Sequence, residues 1–232
     1  DRYRLAAMAE REGMVVAFVN GHSRWPGGRF ATWNAGGCCG DARDQGIDDV
    51  AVLRAVVADI AQRTAIDRGR VFATGMSNGG MMAHRLACDA ADLVAAVAPV
   101  AGTDATADCR PTHPVAVLHV HARDDRHVQY GGGAGPDSVR DRAKVMDYVS
   151  VDETMARWVR RDRCTAAPVT TRETPGVACV TWSGCEGGVS VQRCAVDDGG
   201  HSWPGGAPGR LGKGETSRAY DASLEIGRFF RE

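Results

Sequence analysis

Short apolar runs alternate with amphipathic stretches along most of the chain. Residues 1–12 read as a helix and residues 14–19 as an apolar strand. Residues 20–46 are rich in Gly, Trp and Asn and predict a long loop. Asp48 or Asp49 then caps a helix whose Leu53, Val56, Val57 and Ile60 recur at helical spacing. Residues 71–74 predict a short buried strand, 79–88 a helix, 94–100 a strand and 115–121 another strand. A helix follows over 151–162, with Met155 and Trp158 facing inward. Residues 179–183 and 189–195 flank Gly187-Gly188 and predict a hairpin, and 218–230 a last helix. Alternating strands and helices predict an α/β fold, a mainly parallel sheet with helices on both faces.

Composition narrows the classes. The chain has 232 residues, 44% of them hydrophobic, which is enough for one domain spanning residues 1–232 with its own core. Its net charge of −1 gives no electrostatic reason to expect nucleic acid as partner. No apolar run approaches the roughly 20 residues of a membrane span, and the first residues do not read as a signal peptide. Eight cysteines, an even number, predict disulfides and an oxidising compartment, extracellular or periplasmic. Cys179 and Cys194 are equidistant from the hairpin centre and are expected to bond, which leaves Cys164 for Cys185. Adjacent Cys38 and Cys39 are expected to reach different partners, with Cys88 and Cys109 as the candidates.

The strongest chemical signal is Gly75-Met76-Ser77-Asn78-Gly79, because it lies between a predicted strand and a predicted helix. A serine on such a turn stands clear of the sheet on a strained backbone. Residues two before and two after it are expected to crowd each other, hence Gly75 and Gly79. The following helix aims its N-terminal N–H groups at the site, so the Asn78 N–H is a candidate oxyanion donor. Ser77 needs a base, and the base needs an orienting acid. Asp124 and Asp125 follow the strand at 115–121, and His201 lies in a late loop before the last helix. His84 reads as structural, and His22, His113 and His127 as loop residues. His119 and His121 alternate with apolar neighbours, as partners inside the core.

The chain resembles the polyhydroxybutyrate-depolymerase-type esterases, relatives of feruloyl and acetylxylan esterases in the α/β-hydrolase superfamily. Three stretches carry the resemblance: Trp33-Asn34-Ala35-Gly36-Gly37-Cys38-Cys39-Gly40, the segment around Ser77, and Gly199-Gly200-His201-Ser202-Trp203-Pro204-Gly205. The resemblance implies an α/β-hydrolase fold and a secreted serine esterase with Ser77 as nucleophile, His201 as base and Asp125 as acid. Asp124 is the runner-up, because Ala122, Arg123 and Arg126 depart from the family's Gly-Thr and Pro. It implies further that Trp33, Asn34 and Trp203 shape the substrate pocket. Substrates would be hydroxyalkanoate polyesters or oligomers, or feruloyl or acetyl esters, with no cofactor and no metal needed. The family's first strands end in a His-Gly segment that supplies a second oxyanion donor. The chain begins after that point, so the domain is expected to be N-terminally incomplete.

Two other classes compete. One is a metal-dependent hydrolase using His119, His121, Asp124 and His127, whose spacing approaches that of metal ligands. The other is a non-catalytic homologue.

Overall fold

The computed structural model describes residues 2–139, 146–208 and 216–232. Among the described residues six strands form one sheet in the order β1-β2-β3-β6-β5-β4. They are β1 (Phe72–Met76), β2 (Ala96–Val100), β3 (Ala116–Ala122), β4 (Val169–Thr174), β5 (Val177–Trp182) and β6 (Val191–Val196). The pairs β1–β2, β2–β3 and β3–β6 are parallel, and β6–β5 and β5–β4 antiparallel. The helices are α1 (Leu5–Glu12), α2 (Gly40–Asp44), α3 (Asp49–Arg63), α4 (Asn78–Asp89), α5 (Val151–Arg161) and α6 (Ala222–Phe229).

Helices cover both faces of the sheet, and strand alternation decides which side chain meets which helix. Val97 and Val117 face a core shared with Met81 and Leu86 of α4 and with Met155 and Trp158 of α5. Their neighbours Ala98 and Leu118 face the opposite core, with Met8 of α1 and Ile226 and Phe229 of α6. The central β2 is buried along its whole length, as expected of a parallel strand covered on both sides. Helix starts follow local chemistry. Asp48 accepts the Ala51 N–H at α3, Ser150 the Glu153 N–H at α5, and Asp221 the Leu224 N–H at α6. The apolar stripe of α3 is only half-buried.

Three expectations are corrected. Residues 14–19 form no strand, since a strand exists only through its ladder and no described segment pairs with this one. Val15, Val16 and Phe18 are instead exposed. Strand β4 was not expected, because its Val-Thr-Thr-Arg-Glu-Thr sequence carries no apolar alternation. It is an exposed edge strand held by its ladder to β5. The third correction concerns the cysteines. Cys179–Cys194 and Cys164–Cys185 form as expected, the former directly across β5 and β6. Cys38 and Cys39, however, bond each other. Cys88 in α4 and Cys109 in the loop after β2 lie 5.2 Å apart at Cα and pair together, leaving the adjacent cysteines one another. No helix among the described residues is long and apolar enough to cross a membrane.

Candidate active site

Strands β1, β3 and β6 run parallel, so the loops that leave them open at one edge of the sheet. Open α/β sheets bind ligands at that edge. Ser77 leaves β1, Asp125 leaves β3, and His201 sits in the loop between β6 and α6.

Ser77 adopts φ 57° and ψ −123° as the residue that caps α4. A non-glycine residue there costs about 1–3 kcal/mol, and surrounding contacts must hold it. Its N–H donates to the Val100 carbonyl at 2.8 Å, and its carbonyl accepts the Met81 N–H at 2.9 Å. The tight turn brings Gly75 against Gly79: a Cβ on Gly75 would lie 2.6 Å from the Gly79 carbonyl carbon and oxygen. The expected crowding is one-sided, since a Cβ on Gly79 would meet nothing within 4 Å. It would point away from Gly75.

His201 is buried and joins the two other groups. Its Nδ1 is 2.8 Å from Asp125 Oδ2, and its Nε2 is 2.8 Å from Ser77 Oγ. The carboxylate can only accept, so Nδ1 carries the proton and Nε2 is left to accept from the serine hydroxyl. Gly199 and Gly200 set the approach to His201 with φ of 102° and 57°. Both values favour glycine, and a Cβ on Gly199 would also strike the Ser217 backbone nitrogen.

Asp125 is anchored on both oxygens. Oδ1 accepts the N–H groups of His127 at 2.8 Å and Val128 at 3.1 Å. Oδ2 faces His201 and also lies 3.3 Å from His121 Nε2. Burial pushes its carboxyl up, but the hydrogen bonds from His121 and His201 outweigh this and hold it well below the usual carboxylate range. Asp124 turns away and accepts the Gly200 N–H at 2.8 Å.

The remaining expected site residues separate. As the first residue of α4, Asn78 has a backbone N–H with no intrahelical acceptor. Its side chain clamps Trp33: Oδ1 accepts the Trp33 N–H at 2.6 Å, and Nδ2 donates to the Trp33 carbonyl at 3.0 Å. Trp33 is therefore tied beside Ser77, with its own N–H already used. Asn34 braces its loop by donating to the Ile47 carbonyl and accepting the Gly36 N–H. Trp203 is 1% exposed, stacks on Tyr3 at 4.6 Å and donates to Ser223 Oγ. It packs in the core and offers a substrate no surface, a correction of its expected place.

The four expected metal ligands do not converge. His119 and His121 are buried and bonded to each other, and Asp124 is bound to Gly200. Among the described residues the group with ligand atoms close together is instead Asp125, His127 and His201. His127, read as a loop residue or a metal ligand, has its ring stacked on His201 at 4.6 Å. Burial, then the neighbouring His201, lowers its pKa. Its position two residues after Asp125 was the available signal.

The fold is of the α/β-hydrolase type, with a Ser–His–Asp arrangement at the carboxyl edge of its parallel strands. Comparison with known proteins relates the chain to esterases. It is 33% identical over 202 residues to feruloyl esterase B of Piromyces equi, covering 85% of this chain and 35% of that protein. It is 24% identical over 200 residues to the bifunctional acetylxylan esterase/xylanase XynS20E of Neocallimastix patriciarum, covering 84% of this chain and 25% of that protein. The chain thus spans about a third or less of these two relatives. Among solved structures, acetyl xylan esterase from Aspergillus awamori matches with a TM-score of 0.57 at 16% identity, over 85% of this chain and 76% of that one. No family model matches the chain.

Proposed function

We propose that the chain is a serine carboxylester hydrolase acting through an acyl-enzyme on Ser77. The observation that carries this reading is the pair of 2.8 Å contacts linking Ser77 Oγ, His201 and Asp125. His201 Nε2 takes the serine proton as Oγ attacks the ester carbonyl, and Asp125 stabilises the imidazolium. The oxyanion develops at the start of α4, towards the Asn78 N–H and the positive end of the helix dipole. His201 then returns the proton to the departing alcohol, and water attacks the acyl-enzyme by the same steps reversed. Trp33, held by Asn78, borders the bound ester.

The relatives' names favour feruloyl esters or acetylated xylan over hydroxyalkanoate polyesters as substrate. Four disulfides favour secretion. The test is a panel of p-nitrophenyl acetate, methyl ferulate, acetylated xylan and hydroxybutyrate oligomers, run on the chain and on Ser77→Ala. Ester cleavage that disappears in Ser77→Ala, with the sugar or ferulate esters preferred, is expected. Undiminished turnover in Ser77→Ala sinks the mechanism, and preference for the oligomers overturns the substrate class.

A further inference from the structure

Three buried histidines stand behind the proposed triad without a role in it. His119 and His121 lie on β3 and are fully buried, and His84 of α4 stacks on His119 at 5.6 Å between ring centres. His119 Nε2 is 3.1 Å from His121 Nδ1. His121 Nε2 is 2.8 Å from the Val128 carbonyl and 3.3 Å from Asp125 Oδ2. The Trp158 indole N–H donates to His84 Nδ1 at 2.9 Å.

These contacts decide which ring nitrogens carry the protons. Nε2 of His121 faces two atoms that can only accept, so it carries a proton. Its Nδ1 is then an acceptor, and the proton between the two rings belongs to His119 Nε2. The reverse arrangement would aim a lone pair at the Val128 carbonyl and the Asp125 carboxylate. It would also put an N–H at His119 Nδ1, a buried atom with no hydrogen-bond partner among the described residues. Burial, then His121, His84 and Arg193, hold the pKa of His119 well below the usual value, so this ring stays neutral.

We infer that His119 and His121 form a one-way hydrogen-bond chain ending on Asp125, in which His121 is a positioning residue for the acid of the site. The inference rests on the proposed serine-esterase site. Every link donates in one direction: His119 to His121, then His121 to Asp125 and Val128. Asp125 Oδ2 meets both His201 Nδ1 and His121 Nε2, while its Oδ1 is pinned by two backbone N–H groups. The carboxylate cannot rotate without breaking a link. The His121 N–H also draws charge from the oxygen that faces His201, and so moderates how strongly the imidazolium is held.

Two measurements test this. Nitrogen-15 spectra of the histidine-labelled chain at neutral pH should show His119 and His121 protonated at Nε2. A proton on His121 Nδ1 overturns the chain. Kinetically, His121→Leu should lower kcat about ten- to a hundredfold with KM unchanged, the range seen for outer-shell partners of metal-bound histidines. It should also move the acid limb of kcat/KM to higher pH, because Asp125 then holds the His201 imidazolium more strongly. Among the described residues Ser77, Asp125 and the stacked His127 also face His201, and none is altered. His121→Gln, whose amide N–H can reach the same acceptors, should recover most of the loss. Wild-type kinetics in His121→Leu, or a Gln variant no better than Leu, overturns the positioning role. Activity surviving in Ser77→Ala removes the proposed function and the kinetic test with it. The nitrogen spectra need no turnover and decide the chain in either case.

Discussion

Asp124 and Asp125 are neighbours that brace the same loop through different atoms: Asp125 Oδ2 meets His201 Nδ1, and Asp124 Oδ1 accepts the N–H of Gly200, each at 2.8 Å. One orients the ring and the other its backbone. Asp125→Asn offers the imidazole an amide, which can stabilise the wrong tautomer and carries no charge. Its kcat on p-nitrophenyl acetate is expected to fall roughly 10³–10⁴-fold. Asp124→Asn keeps an oxygen that accepts from Gly200 and should stay within about tenfold of wild type. The reverse ranking would reassign the acid.

The one-sided crowding at the serine turn separates two glycines that the motif treats alike. Gly75→Ala drives a Cβ to within 2.6 Å of the Gly79 backbone, where neither partner is a flexible side chain. The turn must open, and Gly75→Ala is expected to lose several kcal/mol of stability or to be recovered only as insoluble protein. Gly79→Ala adds a methyl group in open space within α4 and relieves the helix of a glycine. It should raise stability by about 0.5–1 kcal/mol. Urea midpoints of the two variants measure this, and equal destabilisation would remove the distinction.

The disulfide pairs make a chemical prediction. Peptide mapping without reduction should recover Cys88–Cys109, Cys164–Cys185 and Cys179–Cys194 as linked peptides. The peptide holding Cys38 and Cys39 should be lighter by two hydrogen atoms than its dithiol. A link from either adjacent cysteine to Cys88 or Cys109 would contradict the structure. The Cys179–Cys194 bond joins residues 15 apart. On chain entropy, replacing both by Ala should cost about 2–4 kcal/mol.

What could be read from the residues follows from how local each signal is. The serine turn and the hairpin each specify themselves over a few residues, and both lie where the pattern puts them. The directions of Asp124 and Asp125 are set by Gly200 and His201, each 76 positions away from its partner, so spacing alone left the pair ambiguous. Residues 14–19 have the composition of a strand, but pairing is a tertiary property, and composition does not contain it. Strand β4 is the converse case, with a polar sequence made a strand by its neighbour. Trp203 carried a motif into the core, because its large ring stacks better on Tyr3 than in solvent. His121 was legible as a core histidine on a strand. Its contact with Asp125 depends on how the following turn folds back.

Asp162 gives the pH dependence a definite sign. It is fully buried at the end of α5, one oxygen accepting the Val115 N–H and the other unpartnered among the described residues. Burial raises its pKa from 3.8 to about 7, against smaller opposing effects of the Val115 hydrogen bond and Arg161. Between those values the folded protein holds a proton that the unfolded chain has released. Stability from this group therefore falls as pH rises through about 4 to 7 and is level above. The buried His84 runs the other way: burial lowers its pKa from 6.5 to about 4, so its contribution grows with pH over much of the same window. The difference between Asp162→Asn and wild type cancels the histidine. The Asn variant should gain roughly 1–3 kcal/mol on wild type between pH 5 and pH 8 in urea unfolding. A difference that is flat across that range would show that Asp162 ionises in the folded protein as it does in the unfolded chain.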